Sequence, residues 1–117
     1  MDKKNTTWTA DKIAILQSYY GDVWVCTKDG ADAVGFYKTH ALDGVRYFVI
    51  GIGSRGLPWD GDTSTSGGDS RGRIEELGLV RDNQFLRDQN CLNRADAATT
   101  LLGRRSSGCC WRKVKHD

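Results

Sequence analysis

The densest group of side chains able to hold a polyanion stands at the end of the chain: Arg104, Arg105, Arg112, Lys113 and Lys115, with hydroxyls at Ser106 and Ser107. Guanidinium and ammonium groups hold phosphates, and Arg and Ser also reach base edges, so this mixture points first to nucleic acid. A second candidate is Gly51-Ile-Gly-Ser-Arg-Gly56, a spacing that lets backbone amides close on a phosphate. A dinucleotide site needs a helix to begin inside that motif. Here Leu57-Pro-Trp59 follows instead. Two weaker uses of the segment stay open: a small-ligand or nucleotide loop built on Gly53 and Arg55, or a protein contact anchored by Leu57 and Trp59.

Catalytic and metal chemistry find less support. Asp60-Gly-Asp62 looks like the start of a calcium loop, but the twelfth position is Arg71 where Glu is required. His40 has no Ser, Cys or carboxylate partner that spacing alone assigns. Zinc could draw on Cys26, Cys91, Cys109 and Cys110 with His40 and His116, yet no Cys-x2-4-Cys pair exists. The cysteines are therefore read as buried small hydrophobes. The expectation is a protein that is not an enzyme, with no catalytic residue, metal or cofactor.

Composition and charge narrow the setting. With 117 residues the chain is long enough for one domain and too short for two, which excludes most cofactor enzymes. Of its 14 glycines, seven fall between Gly51 and Gly72, so 53–72 reads as a Gly/Ser-rich loop, and loops that long usually carry function or stay disordered. The net charge of +2 hides an asymmetry. Residues 1–78 hold nine Lys or Arg against eleven Asp or Glu, and residues 79–117 hold eight against four. The first seven residues are polar and no apolar run follows them, so a cytoplasmic chain with reduced thiols is expected. Nor does any window approach the ~20 apolar residues of a membrane span.

The elements that must position these residues follow from caps and periodicity. Thr9 caps a helix over 10–20 with Ile13, Leu16 and Tyr20 on one stripe, onto which Trp8 can fold back. Strands are expected at 23–27 and 45–52, and a short helix over 31–41. Residues 1–52 thus form an α/β part with a two- or three-stranded sheet. Ile74–Leu77 makes a helical turn or two, closed at Gly78. Asp82 then caps a helix bearing Phe85, Leu86 and Leu92, Asn93 caps another from Arg94 to Leu102, and a last helix runs from Ser106 to about Lys115. The fold class expected is α+β, with a basic three-helix unit over 79–117 and the whole chain as one domain.

In that unit Leu102-Gly103-Arg104 is followed by Arg105-Ser-Ser107, Gly108, Cys109 and Arg112. The segment resembles the helix-turn-helix of the homeodomain-like and Myb-like groups, including small bacterial and phage regulators. It departs from them at Cys109, where Val or Ile is usual, and at Gly108, which weakens a helix by about 1 kcal/mol. The resemblance implies a third helix in the major groove of double-stranded DNA, held as a homodimer on two half-sites, with Arg105 and Arg112 nearest the bases. The rival expectation is a small phage-type inhibitor or adaptor that binds a protein target.

Overall fold

The computed structural model describes residues 7–115. In chain order its elements are α1 (Ala10–Tyr20), β1 (Val23–Cys26), β2 (Ala33–Thr39), β3 (Arg46–Ile50), α2 (Ser66–Glu76), β4 (Val80–Arg81), β5 (Gln84–Phe85), β6 (Gln89–Cys91), α3 (Arg94–Leu102) and β7 (Arg112–Lys113). Single 3-10 turns occupy Lys28–Gly30 and Gly108–Cys110. Five strands form one antiparallel sheet in the order β6-β3-β2-β1-β7, and β4 pairs with β5 apart from it.

Alternation along the central strands makes a three-layer molecule. Val23, Val25, Val34, Phe36 and Val49 face α1, where Trp8, Ile13 and Leu16 pack onto them. Trp24, Cys26, Ala33, Phe48 and Ile50 face the opposite way, against Ala97, Ala98, Leu101 and Leu102 of α3 and Ile74 of α2. Strands covered on both faces read as continuous apolar runs, as β1 and β3 do. Register fixes the pattern, with Val25 opposite Val34 and Phe36 opposite Val49, because a one-residue slip would exchange the two cores.

Two caps match their residues closely. Thr9 accepts from the Lys12 amide at the start of α1, and Asn93 accepts from the Asp96 amide at the start of α3. The end of α3 requires Gly103, whose φ of 72° is left-handed and whose missing side chain leaves room for the carbonyl of Pro58. Gly67 is likewise required: a Cβ there would stand 2.6 Å from the Asp96 carbonyl, where α2 and α3 cross.

The expected C-terminal three-helix unit does not form. Of its three helices only α3 exists; the rest of 79–115 is hairpin, strand, turn and edge strand. Asp82 and Asn83 both take positive φ, 52° and 65°, the geometry of a two-residue hairpin turn, so Asp82 turns a strand instead of capping a helix. Phe85 and Cys91 then reach the core as strand residues. The last predicted helix is overridden by Trp111, which is 5% exposed, packs against Phe48 and donates its indole N–H to the Arg94 carbonyl at 3.1 Å. Burying that ring requires extended chain, which β1 then pairs.

Two further corrections concern the sheet and the loop. The helix expected over 31–41 is β2, because Val34 and Phe36 serve one core while Ala33 and Tyr37 serve the other. The sheet has five strands, beyond the two or three expected. Within 53–72 the chain enters α2 at Ser66, capped by the Thr65 hydroxyl on the Gly68 amide. That Gly-rich helix is held from inside by Arg71, which has no exposed surface. Arg71 donates to Glu75 at 3.0 Å, to the carbonyls of Thr100, Leu101 and Leu57 at 3.0, 3.1 and 2.7 Å, and to the Asn83 side chain at 3.4 Å. One guanidinium thereby joins α2, the end of α3, the strand-to-helix segment and the β4-β5 turn.

Candidate functional site

The basic residues picked out from sequence are exposed but do not share a face. Arg104 pairs with Asp29 at 2.6 Å, and Arg105 reaches the Ser64 hydroxyl at 3.4 Å. Ser106 exchanges hydrogen bonds with Thr99, both at 3.1 Å, and Ser107 caps the turn at Gly108–Cys110. On β7, Arg112 is opposite Val25 and Lys113 opposite Trp24, so the two side chains leave opposite faces of an edge strand. Lys113 lies 3.4 Å from Asp22, and Lys115 is exposed. Charged residues on so short an edge also guard it against pairing with another chain. His116 and Asp117 lie outside the described residues.

The glycine motif is already occupied by the protein's own backbone. Gly51 donates its amide to Val34, Ile52 to the Asp88 carboxylate, Gly53 to Phe85, Ser54 to Gly51, Arg55 to Asp32, Gly56 to Asn83 and Leu57 to Leu101. A phosphate nest needs amides with free N–H groups, and every N–H from 51 to 57 already donates to an acceptor of the protein. Arg55 also gives Nη1 to the Asp82 carbonyl at 2.9 Å. Leu57 packs on the core, and Trp59 lies over Gly72 on α2.

One concave site was missed by sequence reasoning. Tyr37, Asn93, Arg94, Ala95, Gly108, Cys109 and Trp111 line a cleft of about 540 Å³ where the start of α3 meets the sheet. No carboxylate among the described residues lines it. Arg94 stands over the Trp24 ring at 5.3 Å, and beside the cleft Arg46 lies over the Tyr37 ring at 4.1 Å. Both arginines are exposed. Beneath them Trp24, Tyr37, Phe48 and Trp111 form a chain of edge-to-face contacts with centroids 5.0–5.8 Å apart. Lys113 joins the same face through its register with Trp24. In sequence, a signal was available in Tyr37 and Arg46 flanking the Asp43-Gly44 turn, which a hairpin would bring together.

A second cleft of about 400 Å³ lies between the β2-β3 turn, β6 and the first turns of α2 and α3, lined by His40, Asp43, Tyr47, Ser66, Ser70 and Asp96 among others. Its surroundings are apolar and open: Leu42 is 94% exposed, Leu92 68% and Val45 59%. His40 lies beside Tyr47, ring centroids 5.7 Å apart and tilted by 60°. Asp43 accepts from the Val45 amide and Asp96 from the Leu92 amide. Among the described residues no three His, Cys, Asp or Glu side chains meet as a metal cage.

Surroundings shift several titratable groups, Arg71 and Cys91 among them. Burial lowers the Arg71 guanidinium, against the favourable hydrogen bond and charge of Glu75. Burial pushes the Cys91 thiol far up, with Asp96 adding to the shift. No helix among the described residues is long and apolar enough to cross a membrane. No family model, curated protein or solved structure matches the chain.

Proposed function

We propose that this chain is a non-catalytic nucleic-acid-binding protein whose contact surface is the face of the sheet bearing Arg46, Arg94 and Lys113. The observation that carries the reading is the pair of exposed guanidinium groups laid over aromatic rings around a cleft that no carboxylate of the described residues lines. A guanidinium held over a ring loses little freedom on binding and keeps N–H groups for a base and a phosphate. Single-stranded nucleic acid suits this surface better than duplex. A duplex-reading helix must stand proud of its domain to enter the major groove, whereas Ala97–Leu102 of α3 are all buried. Unstacked bases, by contrast, stack on aromatic rings and on Arg planes.

The test is a titration of labelled mixed-sequence DNA, single-stranded and duplex, at two salt concentrations. Three phosphate contacts predict a slope of log K against log salt of about −2 for a single strand. Arg46→Glu with Arg94→Glu should weaken binding at least about tenfold. No binding at low salt, or binding that ignores this double variant, would sink the proposal. Equal affinity for duplex would remove its single-strand half.

A second reading rests on a different observation, the open Leu42, Val45 and Leu92 around a cleft holding Asp43 and Asp96. That surface fits a protein segment carrying a cation between aliphatic side chains. A synthetic peptide alternating Leu and Lys should bind there and lose affinity when Asp43→Asn and Asp96→Asn are combined. A Leu and Glu counterpart binding equally well would exclude this use.

A further inference from the structure

We infer that Cys26 and Cys110 form a peroxide-oxidisable pair that closes to an intrachain disulfide between β1 and the turn ahead of β7. Register brings the two together. Val25 is opposite Arg112, so one step along Cys26 comes level with Trp111, and Cys110, the last residue of the turn that leads into β7, follows directly beside it. Both side chains turn to the same layer: Cys26 belongs to the core beneath α3, and Cys110 packs against that core. The two thiols stand close enough that each is the largest influence on the other's proton. Cys26 has no exposed surface, while Cys110 is only partly buried, so the pair has one buried member and one that solvent reaches.

The chemistry of the pair favours oxidation. The Cys26 thiol is lowered from 9.0 to about 7. The interaction with the Cys110 thiol is the largest cause; burial opposes it, and the backbone amide and the ammonium of Lys28 add to it. The same interaction, with burial, pushes the Cys110 thiol up. Thus one proton is shared between two sulfurs, and a fraction of the pair is thiolate at neutral pH. Neither of the other thiols has this arrangement. Cys91 is buried and bonds to the Gln89 carbonyl at 3.7 Å, and Cys109 is exposed.

The step balances with hydrogen peroxide as oxidant. A thiolate sulfur of the pair attacks one peroxide oxygen, the O–O bond breaks, and hydroxide leaves, taking up a proton to become water. The sulfenic acid so formed is attacked by the second sulfur. An S–S bond forms, the S–O bond breaks, and the departing hydroxide takes the remaining thiol proton. Two thiols and one peroxide give one disulfide and two waters, the two sulfurs losing two electrons.

The experiment treats the full folded chain with a small excess of hydrogen peroxide, alkylates remaining thiols after unfolding, and weighs the tryptic peptides. Peptides 13–28 and 106–112 hold Cys26 and the two neighbouring cysteines. The expected product is these two peptides linked, two hydrogens lighter than their sum. The link should persist in Cys109→Ser and vanish in Cys110→Ser, a partly exposed position whose variant can be checked for an unchanged circular dichroism spectrum. Full alkylation of Cys26 with oxygen retained on Cys109 would overturn the inference. So would a link that disappears in Cys109→Ser.

Discussion

Arg71 and Arg94 carry the same side chain into opposite surroundings. Arg71 is wholly buried and gives its N–H groups to three carbonyls, a carboxylate and an amide oxygen. Arg94 is exposed and rests over an aromatic ring, with no carboxylate of the described residues in the cleft it lines. A guanidinium whose donors are all taken by the fold is a structural part, because any ligand would have to displace those bonds. One that is oriented by a ring but left with free donors is available for binding. The contrast separates the region around α2 and 53–65 from the end of the sheet near β7, and substitutions at the two should affect different measurements.

The largest effect is expected at Arg71. Arg71→Met removes the charge and leaves the carbonyls of Leu57, Thr100 and Leu101 without their donor, which should cost about 3–5 kcal/mol by denaturant unfolding. Arg94→Met should stay within about 1 kcal/mol on the same measurement. A loss below 1 kcal/mol at Arg71 would erase the distinction. Next comes Gly103→Ala, which combines a left-handed φ with a clash against the Pro58 carbonyl. It should cost about 2–3 kcal/mol and loosen the same region.

These two positions also show why the sequence was legible in some places and not in others. α1 and α3 could be read because their signals are local: Thr9 and Asn93 cap them, and Gly21 and Gly103 end them. β1 and β3 could be read because β-branched and aromatic residues run together there. The role of Arg71 was invisible, since its acceptors lie up to 30 residues away along the chain. Residues 53–65 look loose by composition, yet the amides of Gly53, Arg55, Gly56, Leu57 and Asp60 are fixed by the carbonyls of Phe85, Asp32, Asn83, Leu101 and Gly103. The C-terminal basic stretch misled in the other direction: a helical spacing of charges was outweighed by the burial of one indole, Trp111. The candidate site went unread for the same reason, because Arg46, Tyr37, Trp24 and Arg94 meet only once the sheet register is known.

At the sheet end the effect should appear in binding and spare stability. Arg46→Glu with Arg94→Glu is expected to weaken single-stranded DNA at least about tenfold, about 1.4 kcal/mol, while changing unfolding free energy by under about 1 kcal/mol. If unfolding changed as much as binding, the arginines would be structural like Arg71, and the contrast between the two regions would fail.

The smallest expected effect concerns the Arg104–Asp29 pair, and it tests which basic residues matter. Both side chains are about half exposed, so Asp29→Asn should alter stability by under about 1 kcal/mol, less at high salt. Arg104 does not line the cleft beneath Arg94. Freeing it from Asp29 should therefore leave DNA affinity within about twofold, and Arg104→Ala should do the same. A gain on Asp29→Asn together with a loss on Arg104→Ala would move the contact surface toward the Gly103 end of α3, where the charge density of the sequence first pointed. Unchanged affinity in both would leave binding to the arginines that rest over rings, because a cation held by a carboxylate contributes less than one already oriented toward its ligand.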